Sequence, residues 1–240
     1  MQILESSALG LRSAVHTFTN QKTKQTVRLI PMVHIGSDQF YSDVAEELAA
    51  SDHILVEGIQ KADESPAKMR RRGTLRALFW VAAWRLGLVR QKAALDMKPF
   101  KSKAISADVF VFDFNQKWTE IPLKHRVWLW GLHAAAILYF SCTMTRKKLA
   151  KNLAMEDLPS RRELVGKSLQ GMAAQRSVIL DWRDDHLLQS LALHLEQIGT
   201  QRSVTSILYG AGHFRAVADY LQSEASFSVG RGKWLTVFHL

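Results

Sequence analysis

The sequence predicts an α/β fold with a mixed, mainly parallel sheet flanked by helices and a basic helical insertion. First, apolar runs at residues 27–33 and 54–56 enclose a stretch with helical periodicity, which is the pattern of a strand, a helix and a second strand. Second, another apolar run at residues 204–209 leads through two glycines into a further helical stretch. Third, lysine and arginine are concentrated between these two parts of the chain.

Length and composition are those of one α/β domain with an insertion. The chain has 240 residues, of which 47% are hydrophobic, so it can bury a sizeable core. We expect residues 1–60 and 176–240 to form the core that carries the functional site, and residues 61–175 to form the insertion. The single cysteine, Cys142, excludes an intramolecular disulfide. Because the N-terminus does not resemble a signal peptide, we expect a cytoplasmic protein, with peripheral attachment at the inner membrane as an alternative.

The first elements form a predicted hairpin that runs into a buried strand. Residues 12–36 contain two apolar runs separated by a polar turn at residues 20–22, and the second run ends at His34. Ser37 or Asp38 can then cap a helix. The apolar residues of that helix recur at helical spacing and are Phe40, Tyr41, Val44 and Leu48.

Two later strands also end on polar residues. The run at residues 54–56 ends at Glu57. The run at residues 204–209 ends in Gly210-Ala211-Gly212-His213, whose glycines allow a tight turn from a strand into a helix.

His34, Glu57 and His213 therefore each follow a separate predicted strand. In parallel α/β sheets, ligands bind outside the carboxyl ends of the strands, so the three side chains are expected at one edge. Two imidazoles and a carboxylate are a plausible ligand set for a divalent metal. The alternative is that each is simply a polar residue where a strand meets solvent.

Charge is distributed unevenly along the chain. Residues 61–176 contain 23 lysines and arginines against 9 acidic residues, a net charge of +14, whereas the rest of the chain is mildly acidic. Such asymmetry favours an anionic partner, either a membrane surface or nucleic acid. A well-solvated helical face is the alternative.

The basic segment contains two apolar helical stretches, one from Thr74 and one from Lys124 to Lys148. Residues 127–144 of the second lack charged side chains and are close to the minimum length that spans a bilayer. Because this stretch also contains His133 and a Ser-Cys-Thr patch, a buried or interface helix is the favoured interpretation. We expect these helices to form a lid, a homodimer contact or a membrane-facing surface. Nucleic-acid binding is disfavoured, because the aromatic residues lie in apolar helices.

Two further charged residues fall near predicted helix starts. Asp108 precedes an apolar run, and we expect it to act as a helix cap or a salt-bridge partner and as an accessory residue of the site. Arg183 lies among aspartates at the start of an amphipathic helix, where a surface ion pair is the ordinary expectation. Gly199 ends that helix, and residues 233–240 predict an edge strand.

The strand ending at His34, the following Glu57, Arg183 and the Gly210–His213 turn together resemble the TraB/TIKI superfamily. That superfamily is recognised by paired G-x-x-H motifs with a glutamate and an arginine. The similarity covers residues 12–58 and 176–240, and it is faint at residues 91–97 and 107–108.

The resemblance implies a metal-dependent hydrolase, specifically a metallopeptidase that uses a divalent ion such as manganese or cobalt. It implies that His34 and His213 are metal ligands, Glu57 a ligand or general base, and Arg183 the stabiliser of developing negative charge. The roles are chemically consistent, since a metal activates water and a guanidinium binds an oxyanion. One departure is Pro31, which replaces the glycine of the first motif and stiffens the strand.

A non-enzymatic function is the main alternative. In this case the protein is a regulator that binds a peptide or small ligand and associates with an anionic membrane surface.

If the protein is instead the hydrolase, its expected partner is a peptide or protein substrate.

Overall fold

A computed structural model describes residues 2–58, 73–155 and 175–240. The strands are β1 (Leu4–Ser6), β2 (Gly10–Thr19), β3 (Thr26–Met32), β4 (Ile35–Gly36), β5 (His53–Val56), β6 (Val89–Arg90), β7 (Ala104–Ser106), β8 (Val204–Gly210), β9 (Ser228–Val229) and β10 (Lys233–His239). The helices are α1 (Asp38–Ala49), α2 (Gly73–Leu86), α3 (Gln91–Ala94), α4 (Val111–Glu120), α5 (Leu123–Thr143), α6 (Arg146–Leu153), α7 (Trp182–Ile198) and α8 (Phe214–Ser223). Short 3-10 turns cover Lys98–Phe100 and Ala211–His213, and a π-helical turn, Ser177–Asp181, leads into α7.

The main sheet is mixed, and its centre is parallel. Its order is β1-β2-β3-β8-β5-β7, with β9 and β10 also paired to β2. Strands β3, β8, β5 and β7 run parallel to one another, whereas β1, β3, β9 and β10 pair antiparallel with β2. The predicted α/β class is therefore confirmed. The parallel centre brings the carboxyl ends of four strands to one edge.

Strand β3 is buried because it lies between β2 and β8, and its apolar run suits that position. A proline in a central strand lacks the amide hydrogen that would donate to a neighbouring strand. Here the antiparallel pairing with β2 extends only to Leu29, which lies before Pro31. The Pro31 carbonyl oxygen instead accepts a hydrogen bond of 2.9 Å from the Ser13 hydroxyl. The register thus accommodates the proline.

Helix α1 forms as its sequence predicts. The Ser37 hydroxyl accepts a hydrogen bond from the Phe40 amide and caps the N-terminus. The residues that this helix buries include all four of the predicted apolar face, Phe40, Tyr41, Val44 and Leu48.

Helix α7 also follows its pattern, with Leu187, Leu191 and Leu195 buried. It ends at Gly199, whose φ of +62° is a conformation that favours glycine. The apolar faces of α1, α7 and α8 join the strands in one core.

Part of the basic segment belongs to the sheet. Strand β7 pairs in parallel with β5, matching Ala104 to Ile54, and so places Asp108 just beyond the sheet edge. Strand β6 pairs antiparallel with β4 in a separate two-stranded sheet. Residues 59–72 and 156–174 of this segment lie outside the described residues.

Helices α2 and α5 pack against each other and form the apolar part of the basic segment. The Arg85 side chain of α2 donates to the carbonyl oxygens of Cys142 and Met144, which fixes the end of α2 beside the end of α5. Within the described ranges, none of the helices is both long and apolar enough to cross a membrane.

Candidate functional site

Polar residues follow the four parallel strands where these end. His34 follows β3, Glu57 follows β5, Asp108 follows β7, and His213 lies in the turn after β8. Arg183 reaches the same edge from the start of α7. The parallel topology therefore brings the predicted site residues to one region of the molecule.

Arg183 forms the centre of a buried ion-pair network. Its Nε donates to Asp108 Oδ1 at 2.8 Å and its Nη2 to Asp108 Oδ2 at 2.5 Å, while Nη2 also lies 2.8 Å from Glu57 Oε1. The Arg183 side chain is only 4% exposed and that of Asp108 is fully buried. Burial lowers the pKa of Arg183, but the hydrogen bonds and negative charges of the two carboxylates outweigh burial and raise it. The surface location expected for Arg183 was wrong, whereas the salt-bridge role expected for Asp108 is observed.

Asp108 also organises the backbone at the sheet edge. Its carboxylate accepts the amide hydrogens of Gly58, at 3.0 Å, and of Val109, at 2.9 Å. One carboxylate thus connects the ends of β5 and β7 to the start of α7.

Glu57 is held at both oxygens. Arg183 donates to Oε1, and the Gly210 amide donates to Oε2 at 2.7 Å. Burial raises the pKa of Glu57, but the charges of Arg183, His213 and His34 and the Arg183 hydrogen bond lower it to about 2. Glu57 is therefore ionised at neutral pH. A Cβ at position 210 would lie 3.1 Å from Glu57 Oε2 and 3.8 Å from His213 Cδ2, so His213 lies near this carboxylate.

Position 210 is a glycine for a steric reason. A Cβ there would lie 3.1 Å from Glu57 Oε2. The missing side chain lets the Gly210 amide approach the carboxylate directly.

His213 is buried, at 3% exposure, and is oriented by Asp184. Its Nδ1 lies 2.6 Å from Asp184 Oδ1. Because a carboxylate oxygen can only accept, the Nδ1 atom carries the proton and the lone pair of the neutral ring lies on Nε2. The ring of Tyr209 packs edge-on at 5.3 Å between centroids and limits the rotation of the imidazole.

His34 is exposed and is oriented by Gln91. The antiparallel pairing of β4 with β6 places Gln91 opposite His34, and the Gln91 amide donates to the His34 carbonyl oxygen at 3.0 Å. The His34 Nδ1 also lies 3.0 Å from Gln91 Oε1. The amide oxygen accepts the Nδ1 proton, so the lone pair of this ring also lies on Nε2.

The two histidines therefore share a feature typical of metal-binding imidazoles, in which one ring nitrogen is held by a side-chain oxygen and the other is available. Glu57 would contribute a carboxylate. In the described parts of the chain, no group of three or more histidine, cysteine, aspartate or glutamate side chains is arranged so that it could hold a metal ion.

The sequence alone did not predict that Asp184 orients His213. It pointed to Gln91 only because residues 91–97 faintly resemble the TraB/TIKI superfamily. Asp184 directly follows Arg183 at the start of α7, and this adjacency was the available signal. Gln91 carries no local signal, because its contact with His34 depends on the pairing of two short strands.

Comparison with known proteins gives no relatives. No family model matches the chain, and neither a curated protein nor a solved structure matches it.

Proposed function

We propose that this protein is a metal-dependent hydrolase that binds a divalent ion at the edge of its parallel sheet and cleaves peptide bonds. The observation that supports this proposal best is that the Nδ1 atoms of His34 and His213 are both held by side-chain oxygens, at 3.0 and 2.6 Å. In the neutral form of both rings the lone pair then lies on Nε2, the form in which histidine binds a metal. The choice of a peptide substrate rests on the resemblance to the TraB/TIKI superfamily.

The donor atoms of these residues are of the kind that such an ion binds, although the described side chains do not form a preassembled metal site. His34 and His213 would bind it through Nε2, and Glu57 through a carboxylate oxygen. Each oxygen of Glu57 accepts one hydrogen bond, and a carboxylate oxygen has a second lone pair. A nitrogen and oxygen ligand set is compatible with manganese, cobalt or zinc. When bound, the metal would lower the pKa of a water molecule and polarise the carbonyl group of the substrate.

The protein's own groups would supply charge and orientation. Glu57 stays ionised beside Arg183, so it can bind a cation, whereas a pKa of about 2 makes it a weak acceptor of a proton from water. Asp184 and Gln91 would fix the rings of the two histidines. The contacts of Arg183 support a positioning role, because its Nε and Nη2 atoms are bonded to Asp108 and Glu57.

A non-enzymatic ligand-binding function is the second candidate. It is favoured by the hydrogen bonds that hold both oxygens of Glu57, since a carboxylate fixed in this way is well suited to a binding site.

The test is isothermal titration calorimetry on chelator-treated protein with manganese, cobalt and zinc. We expect micromolar or tighter binding that is lost in His34→Ala and in His213→Ala. The matched control is His239→Ala, which removes an exposed histidine at the end of β10. A peptide-library cleavage assay with the bound metal follows.

Three outcomes are informative. Loss of metal binding in both site variants together with cleavage by the wild type supports the hydrolase. Metal binding without cleavage supports the second candidate. Absence of metal binding, or binding that both variants retain, contradicts the proposal.

A further inference from the structure

Helix α5 has an uncovered apolar face. The large apolar side chains on this face recur at helical spacing and are exposed; they are Leu123, Val127, Trp128, Leu132, Leu138 and Tyr139. Between residues 127 and 143 the helix has no charged side chain on any face. An exposed apolar strip of this length is unusual on a monomeric soluble protein and marks an interaction surface.

Helix α2, which packs against α5, also leaves large apolar groups uncovered. Trp80 and Trp84 lie one helical turn apart and are 53% and 76% exposed. The opposite face of α2 is buried at Ala82 and Ala83. The two helices, which contact each other, thus both expose large aromatic side chains; together their exposed faces are called the α2–α5 surface. Aromatic rings favour the boundary between water and lipid because they are amphipathic.

Cationic residues flank this surface at both ends of α5. Lys124 is exposed in the first turn, and Lys147 and Lys148 are exposed just beyond the last turn. The whole segment of residues 61–176 has a net charge of +14. An apolar face flanked by cations is complementary to a lipid surface with negative headgroups.

The same charges disfavour a second copy of the chain as the partner. In an antiparallel pairing of two α5 helices, Lys124 of one copy would meet Lys147 and Lys148 of the other. In a parallel pairing, Lys124 would meet its own equivalent. Both arrangements place like charges together around an apolar contact, which is unfavourable.

We propose that the α2–α5 surface docks the protein peripherally on a membrane that contains anionic lipid. The tryptophans and Leu138 enter the headgroup layer, and the lysines at the ends of α5 bind lipid phosphates. The docking is independent of the proposed hydrolase site, since it uses none of the residues at the sheet edge.

The test is co-sedimentation of the full chain with two kinds of vesicle: phosphatidylcholine alone, and phosphatidylcholine with about one third phosphatidylserine. We expect binding to the anionic vesicles that weakens at high salt. The double substitution Trp84→Ser and Leu138→Ser should reduce binding about tenfold or more. These side chains are 76% and 70% exposed, so their replacement should leave the fold intact.

Two control variants show whether a loss of vesicle binding is specific to the α2–α5 surface. Leu193→Ser removes an apolar side chain that is 53% exposed on α7, and it should bind vesicles like wild type. For charge, Lys124→Glu with Lys147→Glu should weaken binding strongly. The matched change of Lys22→Glu with Arg202→Glu, at exposed positions elsewhere, should weaken it much less.

Several results would overturn the proposal. They are equal binding to the two kinds of vesicle, no binding by wild type, and equal losses in the site variants and their controls. A dimer seen by light scattering that the Trp84→Ser and Leu138→Ser changes disperse, without vesicle binding, would instead assign the surface to a second copy.

Discussion

Arg183 binds Asp108 through two parallel hydrogen bonds, from Nε to Oδ1 and from Nη2 to Oδ2, inside the protein. This two-pronged geometry matches a planar guanidinium to a planar carboxylate. It ties the first turn of α7 to the end of β7, and through Glu57 to the end of β5. The site is therefore built on a rigid, charged connection between three separate parts of the chain.

Asp108→Asn should destabilise the fold by about 3 kcal/mol, because it removes one of the two charges that compensate a buried guanidinium. Urea unfolding measures the change in the free energy of unfolding. The control is Glu120→Gln, which breaks an exposed pair with Lys117 and should cost less than about 1 kcal/mol. Equal stability of Asp108→Asn and wild type would show that the pair does not stabilise the fold.

The sequence predicted the elements of the sheet edge well, because local pattern determines them. The apolar run before His34, the cap at Ser37 and the glycine turn before His213 all lie in short stretches whose periodicity and turn residues are decisive. The alternation of strands and helices along the chain then predicts that the central strands of the sheet run parallel.

The network around Arg183 could not be predicted in this way. Its partners, Asp108 and Glu57, are separated from it by 75 and 126 residues. Neighbouring aspartates suggested an exposed ion pair, whereas burial depends on how α7 approaches the sheet. The contact between His34 and Gln91 likewise depends on the pairing of β4 with β6, each only two residues long.

If the proposed metal site is correct, Asp184→Asn should weaken metal binding about 10-fold to 100-fold. An asparagine can present its amide nitrogen to His213, which no longer fixes the proton on Nδ1. Calorimetry with the metal that wild type prefers measures the affinity. Asp185→Asn, at the exposed neighbouring position, is the control and should bind like wild type. Unchanged affinity in Asp184→Asn would argue against His213 as a ligand.

Gly210→Ala should displace the Glu57 carboxylate. The new Cβ would lie 3.1 Å from Oε2, which is closer than an ordinary van der Waals contact. Because the φ of Gly210 is −56°, the backbone itself accepts alanine without strain, so the effect should come from the carboxylate. We expect a loss of about 1 kcal/mol in the free energy of unfolding.

The control for this steric argument is Gly58→Ala, where the added Cβ has no neighbour within 4 Å among the residues that the structure describes. Its stability should stay within about 0.5 kcal/mol of wild type. Because alanine restricts the unfolded chain, that effect alone would stabilise both variants. A loss in Gly58→Ala equal to that in Gly210→Ala would therefore contradict contact with Glu57 as the cause.

His194 should make stability depend on pH. This side chain is buried against strand β8, and its Nε2 lies 3.1 Å from the Thr205 hydroxyl oxygen. The centroid of its ring lies 4.8 Å from that of His53. Burial and the nearby His53 lower its pKa to about 4. The unfolded chain binds a proton at this residue near pH 6.5, whereas the folded protein resists protonation until about pH 4. The contribution to stability is thus complete above pH 6.5 and is lost as the pH falls toward 4.

The contribution of His194 can be isolated by urea unfolding of wild type and His194→Gln. The measurements are made at several pH values between about 7.5 and 4.5, roughly the range over which the pKa of His194 differs between the unfolded and folded protein. Glutamine keeps hydrogen-bonding groups near Thr205 but does not titrate. Wild type should therefore lose on the order of 1–3 kcal/mol more than His194→Gln over this range. His239→Gln replaces an exposed histidine and should follow the wild-type curve. Parallel curves for wild type and His194→Gln would show that His194 is not the group that couples folding to pH.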